Sequence, residues 1–229
     1  MISLLLASSL VAAPQAAEVA TDYFPLKKGA TWNYTDTAEW NYTDTAERLN
    51  LQVQDRAEGE YEVKKEEFED TREEDKRPGV MMPTIGTYDT RSGFMGRTFY
   101  IVNDREIRVG ALSRHEPIVE PYPILVVPTG ESEKFGYDGL VPMSGTTERM
   151  VLDGTARRLA SVNVLGKDYP AIEIRMEMKL GQGDLLLSVT QLAVYAKGVG
   201  LVSMQETVKT GRDTTRRSRT LTAFKSAPE

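Results

Sequence analysis

The chain contains no cysteine and a single histidine, His115. The first absence removes disulfides, thiolate metal sites, a cysteine nucleophile and the acylated cysteine of a lipid anchor. The second leaves one candidate base for a nucleophilic triad, and no G-x-S-x-G motif accompanies it. A zinc site built on one imidazole would need three carboxylates, a rare ligand set. Positive charge is also in short supply. Lys and Arg number 28 against 34 Asp and Glu, a net of −6, where phosphate neutralisation calls for a strongly basic face, so no nucleic acid is expected as partner. No apolar run reaches the length of a membrane-spanning helix. The G-x-G at Gly198 and Gly200 has no third glycine and no helix start behind it, so it is no phosphate loop. The expectation is no catalytic residue, no metal and no cofactor. Paired carboxylates for hydrolysis stay open as an alternative, because linear spacing among the acids cannot show which two face each other.

What is present is an ordinary globular composition, 40% hydrophobic and 27% charged over 229 residues, which suits one domain with a sizeable core. The apolar stretch Met1–Ala13, followed by the small-residue zone Pro14–Ala17, reads as a signal peptide over residues 1–20. The mature domain, 21–229, is then expected in the periplasm or the medium, without a lipid anchor. Two octapeptides are identical, Trp32–Glu39 and Trp40–Glu47. Eight is even, so a strand that absorbs the duplication keeps its two faces in place. Charge is unevenly spread. Residues 58–77 carry ten acidic and five basic side chains, whereas 209–225 carry six basic ones and Asp213 alone. The acidic run reads as a solvated strand end plus loop, with a cation or partner site as its functional alternative, and the basic run as a solvated edge strand whose positive charge discourages edge-to-edge aggregation; pairing of the two across the fold or steering of an anionic partner is the functional alternative for both.

The strongest structural signal is the alternation Ile172, Ile174, Met176, Met178, Leu180 against Glu173, Arg175, Glu177, Lys179. At period two these form one dry and one wet face of an antiparallel strand. Turn signals at Asp153-Gly154, Gly166–Asp168, Gly181–Gly183, Lys197-Gly198 and Gly211–Asp213 mark off strands near 145–152, 155–165, 168–180, 185–195, 199–208 and 213–224. Earlier strands run through Leu49, Leu51 and Val53, then Arg97–Val102 and Glu106–Ala111. Between halves at about 21–115 and 128–225 lies a connector, 116–128, whose four prolines forbid a central strand or helix. The fold class is all-β, with few or no helices: a strongly curved antiparallel meander, or half-barrel, in one domain.

Tyr23-Phe-Pro-Leu-Lys-Lys-Gly-Ala-Thr-Trp-Asn-Tyr34 and Tyr195-Ala-Lys-Gly-Val-Gly-Leu-Val202 resemble the opening and closing signatures of secreted bacterial β-rich, lipoprotein-like proteins, most of them uncharacterised. Pro128-Thr-Gly130 with Phe135-Gly-Tyr137 is similar to their middle segment. The resemblance implies a curved sheet similar to the half-barrels of periplasmic lipoprotein carriers. The residues supply reasons for the signatures. Pro25 ends the entering segment, Gly29 permits a tight turn, and Trp32 and Tyr34, two apart, share a face. Gly198 and Gly200 suit a bulge or turn where strands approach closely.

The function expected is a binding protein rather than an enzyme. It would be a carrier or sensor for a lipid or lipoprotein, using a concave apolar face of Ile172, Ile174, Met176, Met178 and Met204. Trp32, Tyr34, Phe135 and Tyr137 would flank the mouth of that face. The same stripe is equally the pattern of a filled core. The alternative function is a structural or accessory envelope protein acting through protein contacts, and the second alternative is the carboxylate hydrolase.

Overall fold

The computed structural model describes residues 18–27, 30–43, 52–69, 81–89, 93–113, 116–143, 146–181 and 186–226, with the backbone alone over the strands within 38–97. The expectations placed on residues 1–17, Gly29, Leu49, Leu51, His115, the end of the second octapeptide and the acidic run beyond Glu69 fall outside these residues.

The chain is nearly all β. Among the described residues, one four-residue helix, α1 (Ala20–Tyr23), precedes twelve strands. The first half supplies β1 (Thr31–Thr43), β2 (Gln52–Glu69), β3 (Met81–Asp89), β4 (Gly93–Val102), β5 (Glu106–Ser113) and β6 (Glu116–Val126). The second half supplies β7 (Ser132–Met143), β8 (Thr146–Val164), β9 (Lys167–Leu180), β10 (Leu187–Ala196), β11 (Gly200–Thr210) and β12 (Asp213–Lys225). They form one antiparallel sheet in the order β6-β5-β4-β3-β2-β1-β12-β11-β10-β9-β8-β7. Each half is a meander of sequence neighbours, and the two halves are joined where β1 pairs with β12. The sheet is open between β6 and β7.

The side-chain period of two decides which face is dry. On β9, Ile172, Ile174 and Met176 are buried, while Arg175, Glu177 and Lys179 are exposed. Each fully buried side chain of this size contributes about 1.5–3 kcal/mol. On β8, Met150, Leu152 and Ala156 continue the dry face. These residues belong to one continuous core with Trp32, Tyr34, Tyr100, Ile107, Leu125 and Tyr195.

Three local expectations change. The basic strand β12 is not an edge: it lies in the middle of the sheet, paired with β1 on one side and β11 on the other, because joining the two halves requires a strand from each end of the chain. Asp153-Gly154 is not a turn: β8 runs unbroken from Thr146 to Val164. Gly154 lies directly opposite Phe135 of β7, and a Cβ there would stand 2.3 Å from the Phe135 ring. The glycine makes room for a cross-strand aromatic ring instead of bending the chain. The proline-rich stretch is not a bare connector either. Its residues 116–126 form β6, an edge strand paired with β5 through an irregular register that shifts beside Pro123 and across Pro121 and Pro117, which an edge tolerates where a central strand would not.

Candidate functional site

Residues 18–27 lie as a strap across one end of the curved sheet. Its backbone is tied at both sides: Ala20 donates its N–H to the Asp104 carbonyl at 2.7 Å, and Gly198 donates to the Asp22 carbonyl at 2.6 Å. Tyr23 and Phe24 are buried, and the Phe24 ring meets Tyr100 and Tyr195 edge to face at 5.4 and 5.9 Å. The strap therefore caps the core with aromatic surface.

Glu18 fastens it electrostatically. Its carboxylate pairs with Arg158, accepts from Lys197 Nζ at 2.8 Å and accepts from the Tyr23 hydroxyl at 3.0 Å. Burial works to raise its pKa, but the hydrogen bonds from Lys197, Arg158 and Tyr23 outweigh that and hold it down to about 2. Burial and the same carboxylate push the Tyr23 phenol up to about 12, so it stays a donor. Arg158 also donates to the Pro128 and Gly130 carbonyls, at 2.8 and 3.2 Å. These partners lie 140 and 179 residues from Glu18, a distance at which no sequence pattern links them. Glu18 and Ala20 also sit within the stretch read as a signal peptide. Both are built into the fold.

Between the strap, the turn from β10 to β11 and the end of β12 lies an open cleft of ≈ 670 Å³. Pro25, Leu26, Ala30 and Phe224 give it apolar walls, and Lys27, Lys197 and Asp22 stand at its border. Phe224 stacks on Trp32 at 5.7 Å. Trp32 is 2% exposed and donates its indole N–H to the Val199 carbonyl at 2.5 Å. Two residues on, the Tyr34 hydroxyl donates to the Leu201 carbonyl at 2.9 Å. The close approach needs Gly200: its φ is +105°, and a Cβ would lie 3.1 Å from the Trp32 indole nitrogen. The second glycine of the closing signature, Gly200, thus meets the tryptophan of the opening one.

The other expected site residues divide between two places. Ile172, Ile174 and Met176 are inside the core, with Met178 and Met204 partly buried against it, and Met204 Sδ accepts from Gln191 Nε2 at 2.8 Å. Phe135 and Tyr137 are on β7, six strands from Trp32 and Tyr34 in the sheet order. Phe135 covers Gly154, and Tyr137 meets Tyr122 of β6. The structure therefore brings Trp32 to the cleft wall, through Phe224, and places Phe135 and Tyr137 near the open side of the sheet.

Among the described residues, one charged pair enters the interior. Asp36, 4% exposed, pairs with Arg219, directly opposite on β12, at 3.0 Å. The guanidinium also lies over the Tyr34 ring, 5.6 Å from its centroid. Burial raises the Tyr34, Tyr100 and Tyr195 phenols well above their ordinary value. Among the described residues, three carboxylates have clearly moved acidities, and all are lowered. Glu18 is described above; Glu133 is lowered first by the Thr129 N–H, and Asp138 by hydrogen bonds from Arg149. A general acid needs a shift in the opposite direction.

The fold and this geometry define an all-β protein with a capped core and an open, lysine-bordered cleft. No family model, curated protein or solved structure matches the chain.

Proposed function

We propose that the protein is an exported, non-catalytic binding protein that carries or senses a lipid-like molecule, held in the cleft between the strap and the end of β12. The observation that carries this reading is the cleft itself: ≈ 670 Å³, open, walled by Leu26, Phe224, Pro25 and Ala30 and bordered by Lys27 and Lys197. Its volume lies within the range of about 300–1,000 Å³ that small-molecule sites occupy. Apolar walls suit an acyl chain, and ammonium groups at the border suit an anionic head. The stripe Ile172–Met178 supports the reading indirectly, as the packed interior that holds the cleft walls in place. The apolar leader of the sequence supports export, and the fastening role of Glu18 argues for processing on its N-terminal side.

Native mass spectrometry of the protein purified from its own envelope tests the reading, together with titration by a dansyl-labelled fatty acid. A lipid-sized adduct is expected, with saturable binding weakened by Leu26→Asp and by Lys27→Glu. An unliganded mass and a linear, non-saturating titration would refute it.

A further inference from the structure

The side-chain contacts described above for β1 are made by the first of the two octapeptide copies, Trp32–Glu39. The Trp32 indole donates to the Val199 carbonyl and stacks on Phe224, the Tyr34 hydroxyl donates to the Leu201 carbonyl, and Asp36 pairs with Arg219. Eight residues on, the second copy supplies the same residues in the same order: Trp40, Tyr42 and Asp44. The likeness extends beyond the repeat. Two residues before Trp32 stands Ala30, buried in the core, and two before Trp40 stands Ala38. A shift of β1 by eight residues would therefore put Ala38, Trp40, Tyr42 and Asp44 where Ala30, Trp32, Tyr34 and Asp36 now lie. Eight is even, so no residue changes face.

The neighbouring strands accept the shift. Thr31, opposite Lys225 and Lys64, would give way to Glu39; Glu39, opposite Arg216 and Arg56, to Glu47; and Trp40, opposite Asp55, to Arg48. Each exchange leaves opposite charges in register across the ladder. The chain also has the length. Residues 44–51, between β1 and β2, would be taken up until Leu51 and Gln52 form a two-residue reversal, while the link between the strap and β1 would grow from 28–30 to 28–38. Loop-closure entropy changes only with the logarithm of length, so the two changes largely offset. Two features favour the observed register. Asn50 would replace Tyr42 opposite Val53, and Leu51-Gln52 lacks the glycine or asparagine that such a turn prefers.

We propose that β1 occupies two registers: the observed one and a minor one, shifted by eight residues, in which the second octapeptide copy replaces the first against β2 and β12. In the minor register the link beside Leu26 and Lys27 carries Trp32 and Tyr34, so the exchange remodels the rim of the cleft. The register is set by β1, β2 and β12 and does not depend on what the cleft holds, so either reading can fail without the other.

The full chain lacks cysteine, so introduced thiols report the register without background. Opposed residues on adjacent antiparallel strands have Cα atoms about 4.5–5.5 Å apart. Thr35→Cys with Thr220→Cys, opposed in the observed register, should be joined by a short bis-thiosulfonate reagent once the protein has been refolded from urea. Thr43→Cys with Thr220→Cys is eight residues out of register, roughly 27 Å along the strand, and becomes opposed only after the shift. This second pair is expected to join within the monomer at a tenth or more of the first pair's yield. Asp36→Ala, which removes a carboxylate used only in the observed register, should raise that yield at least threefold, and Asp44→Ala should lower it at least threefold. In urea unfolding, Asp36→Ala with Asp44→Ala should lose more stability than the two single changes together, because only the double variant leaves Arg219 without an aspartate in both registers. Absence of the Thr43–Thr220 product, a product formed only between molecules, a yield unmoved by Asp36→Ala, or additive stability losses would each overturn the proposal.

Discussion

Replacing Glu18 by Gln removes the charge that ties the strap to the body of the sheet while keeping a side chain of the same size. In the folded protein the carboxylate titrates at about 2 rather than 4.5. Unscreened, that gap corresponds to about 3 kcal/mol. The carboxylate sits at a solvent-accessible rim, with Arg158 and Lys197 36% and 39% exposed, and screening brings the expected loss to about 1 kcal/mol at pH 7. Because the folded pKa is depressed, the stabilisation is complete above about pH 4.5 and disappears as the pH falls towards 2. Urea unfolding of both proteins, followed by tryptophan fluorescence at pH 7, 5 and 3.5, measures it. The gap between them should be constant from pH 7 to pH 5 and shrink by roughly half at pH 3.5. Equal stability at pH 7, or a gap unchanged at pH 3.5, would refute the assignment of Glu18 as the fastening charge.

Two further substitutions probe the packing. Trp32→Phe leaves the buried Val199 carbonyl without its indole donor and should cost about 1–3 kcal/mol in urea unfolding; a change under about 0.5 kcal/mol would show that the bond contributes little. Gly154→Val drives a side chain into the Phe135 ring and should cost about 1–3 kcal/mol. Adding Phe135→Ala should then recover part of the loss, and strictly additive effects in the double-mutant cycle would exclude the contact.

The sheet was legible wherever the pattern was local. The alternation from Ile172 to Leu180 gives β9 and its buried face, and the glycines at 166, 198 and 211 mark real turns with positive φ. Prolines 117, 121 and 123 exclude a central strand, and the stretch takes the one kind of strand that remains, an edge. Gly154 misled because its partner, Phe135, lies on another strand, and a glycine covered by a ring has the same letter as a glycine in a turn. The strap was hidden for a similar reason. Its anchors, Arg158 and Lys197, are remote in the chain, and the small apolar residues around Glu18 also suit the end of a leader. Trp32 and Gly200 could each be picked out as a special position, but only the folded chain shows that they are special because of each other.

The pairing of β1 with β12 governs how the molecule can be assembled. Asp36 and Arg219 face each other across 183 residues of chain, so the middle of the sheet cannot close until nearly the last residues are available. Until then β1 is an edge, presenting an unpaired ladder to any other chain nearby. Closing so long a loop is slow, although its entropic cost grows only logarithmically with length. Each meander can meanwhile form from hairpins between sequence neighbours. Zipping two such halves together is then the step expected to limit folding, and a circular permutant opened at Thr129–Gly130 with its original ends linked would turn that step into one more local hairpin.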